Sequence, residues 1–315
     1  MVVPHISVII PVYKAVNSLL ELIDRLTRAL QQITPEYEII LVEDGSPDQT
    51  WEKVLEVHSK YPRIKALKLS RNFGQHSALT AAADHAQGEW VVIMDCDLQD
   101  QPEEIQKLYS KAMENYDSVF AARINRQDSA FKRFCSRNFY MLLTYFSGEK
   151  IDPATCNFGI YSRRVMNEIK KMNEQLRWYP GMIRWLGFPT ATVGVAHAAR
   201  SYGKSSYSFR KLLHFAIDVV CISSDKPLRL SIKGGLFISF LSILVGVFIA
   251  ARSILGSSTP PLGWASLFIS IWFLSGLLFF NLGVVGLYIA RIFNEVRARP
   301  IYVVAEVIEF NNEIK

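Results

Sequence analysis

Cysteine is scarce: four residues, Cys96, Cys135, Cys156 and Cys221, stand in a chain of 315. None forms a Cys-x-x-Cys pair, which excludes the common zinc and dithiol motifs and leaves reduced, cytosolic thiols as the expectation. Basic tracts are also missing. Lysine and arginine number 35 against 29 acids, a net charge of +6, yet no run is long enough for a nucleic-acid-binding tail. The basic balance points instead to anionic lipid or a phosphorylated substrate. No secretory leader precedes the apolar run starting at Ile6, so the first domain is expected to stay in the cytoplasm. Charge itself is absent from two long stretches, residues 234–251 and 253–290.

Before those stretches, short apolar runs alternate with amphipathic segments. Residues 6–12, 37–42, 64–69 and 90–94 are continuous, rich in β-branched residues and bounded by polar ones, as buried strands are. Segments 18–32, 50–61, 75–86 and 102–115 carry helical spacing, with Ser18 as a candidate N-cap and Pro102 suited to a first turn. Such alternation predicts an α/β fold with a mostly parallel sheet and helices on both faces. Ligands of such sheets sit beyond the carboxyl ends of the strands. The residues there are Pro11-Val12-Tyr13, Glu43-Asp44-Gly45-Ser46, Ser70-Arg71-Asn72-Phe73-Gly74 and Asp95-Cys96-Asp97-Leu98-Gln99-Asp100.

A bilayer core of roughly 30 Å takes about 20 apolar residues as a helix. The uncharged stretches predict two transmembrane helices, at 231–254 and 263–289, with buried core helices as the bland alternative. Lys226, Arg229 and Lys233 precede the first, Arg291, Arg297 and Arg299 follow the second, and Arg252 alone lies near the link. That asymmetry places both ends in the cytoplasm. Residues 209–221 form an amphipathic pattern, with Arg210, Lys211, His214 and Asp218 on one face, read as an interfacial helix. The domains expected are therefore 1–207 (catalytic), 208–229 (juxtamembrane), 230–290 (membrane) and 291–315 (cytoplasmic tail). Residues 301–310 alternate enough for a strand that would pair with a neighbour, leaving a homo-oligomer open.

Asp95 and Asp97 at a strand exit offer hard oxygen ligands for Mg2+ or Mn2+, ions that favour phosphate oxygens. Such an ion neutralises a departing diphosphate. Asp44 is placed to accept hydrogen bonds from a nucleobase or ribose, or else to cap the next helix, a task for which Asp48 is better placed. Arg200, Lys204 and the hydroxyls of Ser205, Ser206 and Tyr207 form a polar cluster able to grip phosphate, and Arg123, Arg133 and Arg137 add positive charge.

These blocks resemble the family 2 glycosyltransferases of GT-A fold, a Rossmann-like architecture. Within them the chain is similar to the polyprenyl-phosphate glycosyltransferases, such as dolichol-phosphate mannose synthase and the bactoprenol glucosyltransferases. Pro180-Gly181-Met182, Trp185-Leu186-Gly187-Phe188, Arg200 through Tyr207 and Lys226-Pro227-Leu228-Arg229 extend the match over nearly the whole chain. The resemblance implies inverting transfer of a hexose or related sugar from a UDP- or GDP-sugar to a polyprenyl phosphate. It assigns Pro11, Tyr13, Glu43, Asp44, Asn72 and Arg123 to the nucleotide sugar. Asp95, Asp97 and Gln99 fall to the metal, with Asp95 and Gln99 also near the donor. Arg133, Ser136, Arg200, Lys204 and Ser206 fall to donor or lipid phosphates.

The chain departs from the pattern in three places. Lys14 and Ala15 stand where the family has Asn-Glu, and Ala154 where relatives often carry an acid. The family block Gly-Asp-Phe-Arg is here Cys156-Asn157-Phe158-Gly159, so Asn157 occupies the position of the proposed general base. Either an anionic lipid phosphate needs little base catalysis, or Asp152 or Asp100 supplies the base, or the acceptor differs. Two further readings stay open: transfer to a sugar already on a lipid, and a silent nucleotide-sugar-binding scaffold. A processive synthase is disfavoured, because Gln175-Leu176-Arg177-Trp178 is one residue short of Gln-x-x-Arg-Trp.

Overall fold

Four strands rich in Ile and Val run side by side in the computed structural model, which describes residues 4–123, 141, 144–146, 155–172, 174–175, 177–196, 198, 224–254 and 263–310. They are β1 (Ile6–Val12), β2 (Tyr37–Glu43), β3 (Ile64–Leu69) and β4 (Trp90–Ile93), all mutually parallel where they pair. Every residue of β1 and β2 is buried, which explains the unbroken apolar runs: both sheet faces are covered. The eight-stranded order is β7-β5-β6-β4-β1-β2-β3-β8. Here β5 is Ser118–Arg123, β6 Thr155–Ser162, β7 Thr190–Val195 and β8 Val304–Ile308. β6 and β8 run antiparallel to their neighbours.

Helices α1 (Leu19–Gln31), α2 (Thr50–Lys60) and α4 (Ile105–Ala112) cover one face, packed on Val8, Ile10, Ile39 and Leu41. Leu19, Leu22, Leu26 and Leu30 are the buried stripe of α1, and each contributes roughly 1.5–3 kcal/mol by leaving water. On the other face lie α3 (Gln75–His85), α5 (Arg163–Lys171) and α6 (Tyr179–Trp185), packed on Ile9, Ile40 and Ile93. Because α1 and α3 cross to opposite faces, the order reverses between β1 and β4, the switch point where such sheets bind ligands.

Ser18 holds the N-cap position of α1, but its hydroxyl makes no capping bond. It donates to the Cys96 carbonyl at 2.8 Å instead. Pro102 opens a short 3-10 turn, Pro102–Glu104, that leads into α4.

Residues 138–150 and 207–297 form a second unit, apart from the sheet-containing one. It carries α7 (Lys226–Ile254) and α8 (Trp264–Val296). Both are long and apolar enough to cross a membrane, over Lys226–Val245 and Ser270–Val296. Phe237, Phe240, Phe279 and Phe280 are among the large apolar side chains they expose, an amount of apolar surface that suits lipid. Each helix outruns its predicted span. Pro227 is tolerated in a first turn, and Arg291 marks a polar boundary without ending the helix. The amphipathic segment 209–221 lies outside the described residues.

The tail departs from expectation. β8 pairs with β3 of its own sheet, Leu67 opposite Val307, so this strand needs no second molecule. Lys65 Nζ meets a Glu309 carboxylate oxygen at 2.8 Å, and the Tyr302 hydroxyl donates to Asp84 at 2.7 Å. Residues 298–310 thus belong to the sheet-containing unit.

Candidate active site

The carboxyl ends of β1, β2, β3 and β4 share one edge, and their exit loops are bonded to one another. Asp44, leaving β2, is 2% exposed. Its Oδ1 accepts from the Phe73 N–H at 2.7 Å and its Oδ2 from the Gly74 N–H at 2.9 Å. Burial pushes the Asp44 carboxyl above its ordinary range, against the pull of those two donors. The Asn72 amide donates to the Asp44 carbonyl at 2.9 Å, so a group expected at the nucleotide helps build the loop. Gly45 adopts φ +60°, and a Cβ there would lie 2.5 Å from the Arg71 carbonyl carbon. Only glycine lets the two loops approach this closely. Replacing the carboxylate, Asp44→Ala, strands two backbone donors and should lower stability by about 2–3 kcal/mol. An unchanged thermal midpoint would show that the loop stands without it.

Loops from β1 and β4 complete the edge. Tyr13 is exposed at the end of β1. Lys14 follows with φ +53°, and its N–H donates to Ser46 Oγ at 3.1 Å. Glu43, by contrast, is buried and accepts from the Ser46 N–H, an assignment to this loop. After β4, Asp95, Asp97 and Gln99 are half-buried. Asp97 Oδ1 accepts from the Gln99 N–H at 3.1 Å. Leu98 between them is buried at φ +61°, a left-handed position costly for a non-glycine residue and found preferentially at functional loops. Burial, then the flanking Asp95 and Asp97, push the Cys96 thiol up to about 12, leaving it a protonated, inert thiol.

Asp95 has a partner that no sequence pattern indicates. Gln75, first residue of α3, donates from Nε2 to Asp95 Oδ1 at 2.6 Å. The next residue, His76, stacks on Tyr179 with centroids 6.4 Å apart, and burial lowers it to about 4, so it is neutral at pH 7.

Other predicted residues reach the same edge. Gly159 pairs with Ile93, so Asn157, two residues nearer the start of β6, falls beside the exit of β4. Arg123 ends β5, paired with Val195 of β7. The Ala198 N–H donates to the Gln99 carbonyl at 3.0 Å, bringing the chain just ahead of Arg200 to the carboxylate loop. Asp100 is buried at 3% exposure. Asp152, Arg133, Ser136, Arg200, Lys204 and Ser206 lie outside the described residues, as does the side chain of Arg123.

Among the described residues no three His, Cys, Asp or Glu side chains converge on a point. The Asp95, Asp97 and Gln99 side-chain oxygens would therefore supply only part of a coordination shell. That donor set fits Mg2+ or Mn2+, which bind through one or two carboxylates and fill their remaining positions from phosphate and water.

A mostly parallel sheet with an acidic loop at its switch point and two apolar helices further on is the arrangement expected of a membrane-associated glycosyltransferase of GT-A fold. The glycosyl transferase family 2 model matches residues 7–170, and the chain belongs to that family. An uncharacterized glycosyltransferase of Synechocystis is 38% identical over 96% of this chain and 95% of its own. The undecaprenyl-phosphate 4-deoxy-4-formamido-L-arabinose transferase of Proteus mirabilis is 37% identical over 96% and 94%. Among solved structures, glucosyl-3-phosphoglycerate synthase from Mycobacterium tuberculosis, in complex with Mn2+ and UDP-glucose, superposes with a TM-score of 0.51. It is 15% identical, covering 69% of this chain and 77% of that one, a likeness of fold.

Proposed function

We propose that the protein transfers a hexose or related sugar, with inversion, from a nucleoside-diphosphate sugar to a polyprenyl phosphate at the cytoplasmic membrane face, for surface glycan synthesis. The observation that carries this reading is the Asp95–Gln99 loop at the sheet's switch point, in a chain that also holds two helices of membrane-spanning length. The Proteus relative, named for transfer to undecaprenyl phosphate and similar end to end, supports the acceptor class. The cation asymmetry around α7 and α8 supports the cytoplasmic orientation.

Tyr13 offers an exposed aromatic face for a nucleobase. Asp95, Asp97 and Gln99 would hold a divalent ion, which, when bound, draws negative charge from the departing diphosphate. In the transfer a phosphate oxygen of the lipid forms a bond to the anomeric carbon, and the bond from that carbon to the diphosphate breaks. The nucleoside diphosphate leaves with the electron pair. Asn157 accepts no proton at neutral pH but can donate its amide N–H to an oxygen and orient it. A nucleophile that is already an anion suits such a residue, because orientation and electrostatics then carry the rate. The cations of Arg123, Arg133, Arg200 and Lys204 and the hydroxyls of Ser136 and Ser206 are assigned to phosphates of donor and lipid.

The test is incorporation of radiolabelled sugar into lipid by purified protein with Mn2+ and undecaprenyl phosphate. Nucleotide-linked glucose and nucleotide-linked 4-deoxy-4-formamido-L-arabinose are both offered. A labelled monosaccharide lipid is expected. Label appearing only on a pre-glycosylated lipid would move the acceptor to a lipid-linked sugar. Donor binding without release of nucleoside diphosphate would reduce the protein to a scaffold.

A further inference from the structure

The Gln75–Asp95 contact joins two strand exits that the sequence keeps 20 residues apart. Gln75 is firmly held. The two N–H groups just before it, those of Phe73 and Gly74, are gripped by Asp44. Gly74 makes the turn into α3 at φ +97°. Behind it, Ala78, Leu79, Ala81 and Ala82 are buried against the sheet. The amide therefore projects from a rigid helix start, whereas Asp95 sits in the loop that links β4 to the Pro102–Glu104 turn. A primary amide donates a strong hydrogen bond to a carboxylate without bringing a cation that would compete with a metal ion for its charge.

We propose that Gln75 is a positioning residue for sugar transfer: its side-chain amide fixes the rotation of the Asp95 carboxylate, so that the divalent ion and the diphosphate meet it in one orientation. This rests on the metal-dependent reading given above. Partners behind metal ligands set ligand direction in this way, and losing one typically costs tenfold or more in metal affinity or rate. The rigid link also runs from Asp44 to Asp95, spacing the loop assigned to the nucleoside from the loop assigned to the diphosphate.

The experiment compares full-length wild-type protein with Gln75→Leu, which keeps the bulk and removes the donor, and with Gln75→Ala, which adds no bulk should leucine disturb α3. Binding of Mn2+ in the presence of UDP is read from loss of the free-ion electron paramagnetic resonance signal, beside kcat and KM for undecaprenyl phosphate. Both variants should melt within about 3 °C of wild type, as expected when a half-exposed side chain is replaced. They should bind Mn2+ about tenfold more weakly and turn over about tenfold more slowly, with KM for the lipid unchanged. Wild-type Mn2+ affinity in a folded variant would overturn the role of Gln75 alone. Wild-type protein that neither binds Mn2+ nor needs a divalent ion would overturn this inference together with the metal-dependent reading.

Discussion

Asp97→Ala should lower sugar transfer by about 100- to 1,000-fold, the usual cost of removing one group that stabilises developing charge in a closed site. The carboxylate sits where two demands meet. Leu98 buries its side chain at φ +61° between two half-buried polar residues. The Gln99 N–H then holds Asp97 Oδ1 at 3.1 Å. Asp97→Asn keeps an oxygen for that N–H but removes the charge, and should lose nearly as much activity as alanine while melting like wild type. Initial rates with labelled donor and undecaprenyl phosphate decide the matter. A wild-type rate in Asp97→Asn would take Asp97 out of the ion site.

Gly45→Ala should damage the fold more than its single added methyl suggests. Its φ of +60° and the Cβ clash with the backbone of Arg71 and Asn72 act together. Forced left-handed backbone alone costs about 1–3 kcal/mol. With the displaced loop, roughly 3 kcal/mol is expected, a fall of about 6–12 °C in thermal midpoint for a domain of this size. The same displacement pulls the Phe73 and Gly74 N–H groups off Asp44, so activity should fall further than stability requires. A midpoint within about 2 °C of wild type, well short of that fall, would mean the loops have room that the present geometry denies them.

The first four strands are legible because both sheet faces are covered, so Ile6 through Val12 shows no alternation to confuse the reading. The edge loops are legible because parallel strands put every exit on one side. Beyond β4 the pattern fades. β7 lies at the sheet margin and alternates exposed with half-buried residues, and β6 reverses direction, which no local pattern encodes. The assignments of Asp44 and Asn72 to ligand rest on residue type, whereas their bonds depend on how near β2 and β3 bring their exit loops, a property of Gly45 and its surroundings. Gln75 escapes notice for the same reason: a glutamine opening a helix has many ordinary uses, and its bond to Asp95 exists only once α3 has crossed the sheet.

β8 sets an order on the making of the protein. Its partner β3 leaves the ribosome some 235 residues earlier, since Leu69 pairs with Val304, and chains grow at roughly 5–20 residues per second. Both apolar helices are synthesised in that interval. The rim of the sheet at β3 therefore waits unpaired until both helices have been made, and, on the membrane-spanning reading proposed above, the closing strand can reach it only if the polypeptide comes back to the side it left. An even number of crossings is thus a condition for completing the catalytic unit, and a chain threaded the wrong way would betray itself by an open strand edge, a surface prone to aggregation.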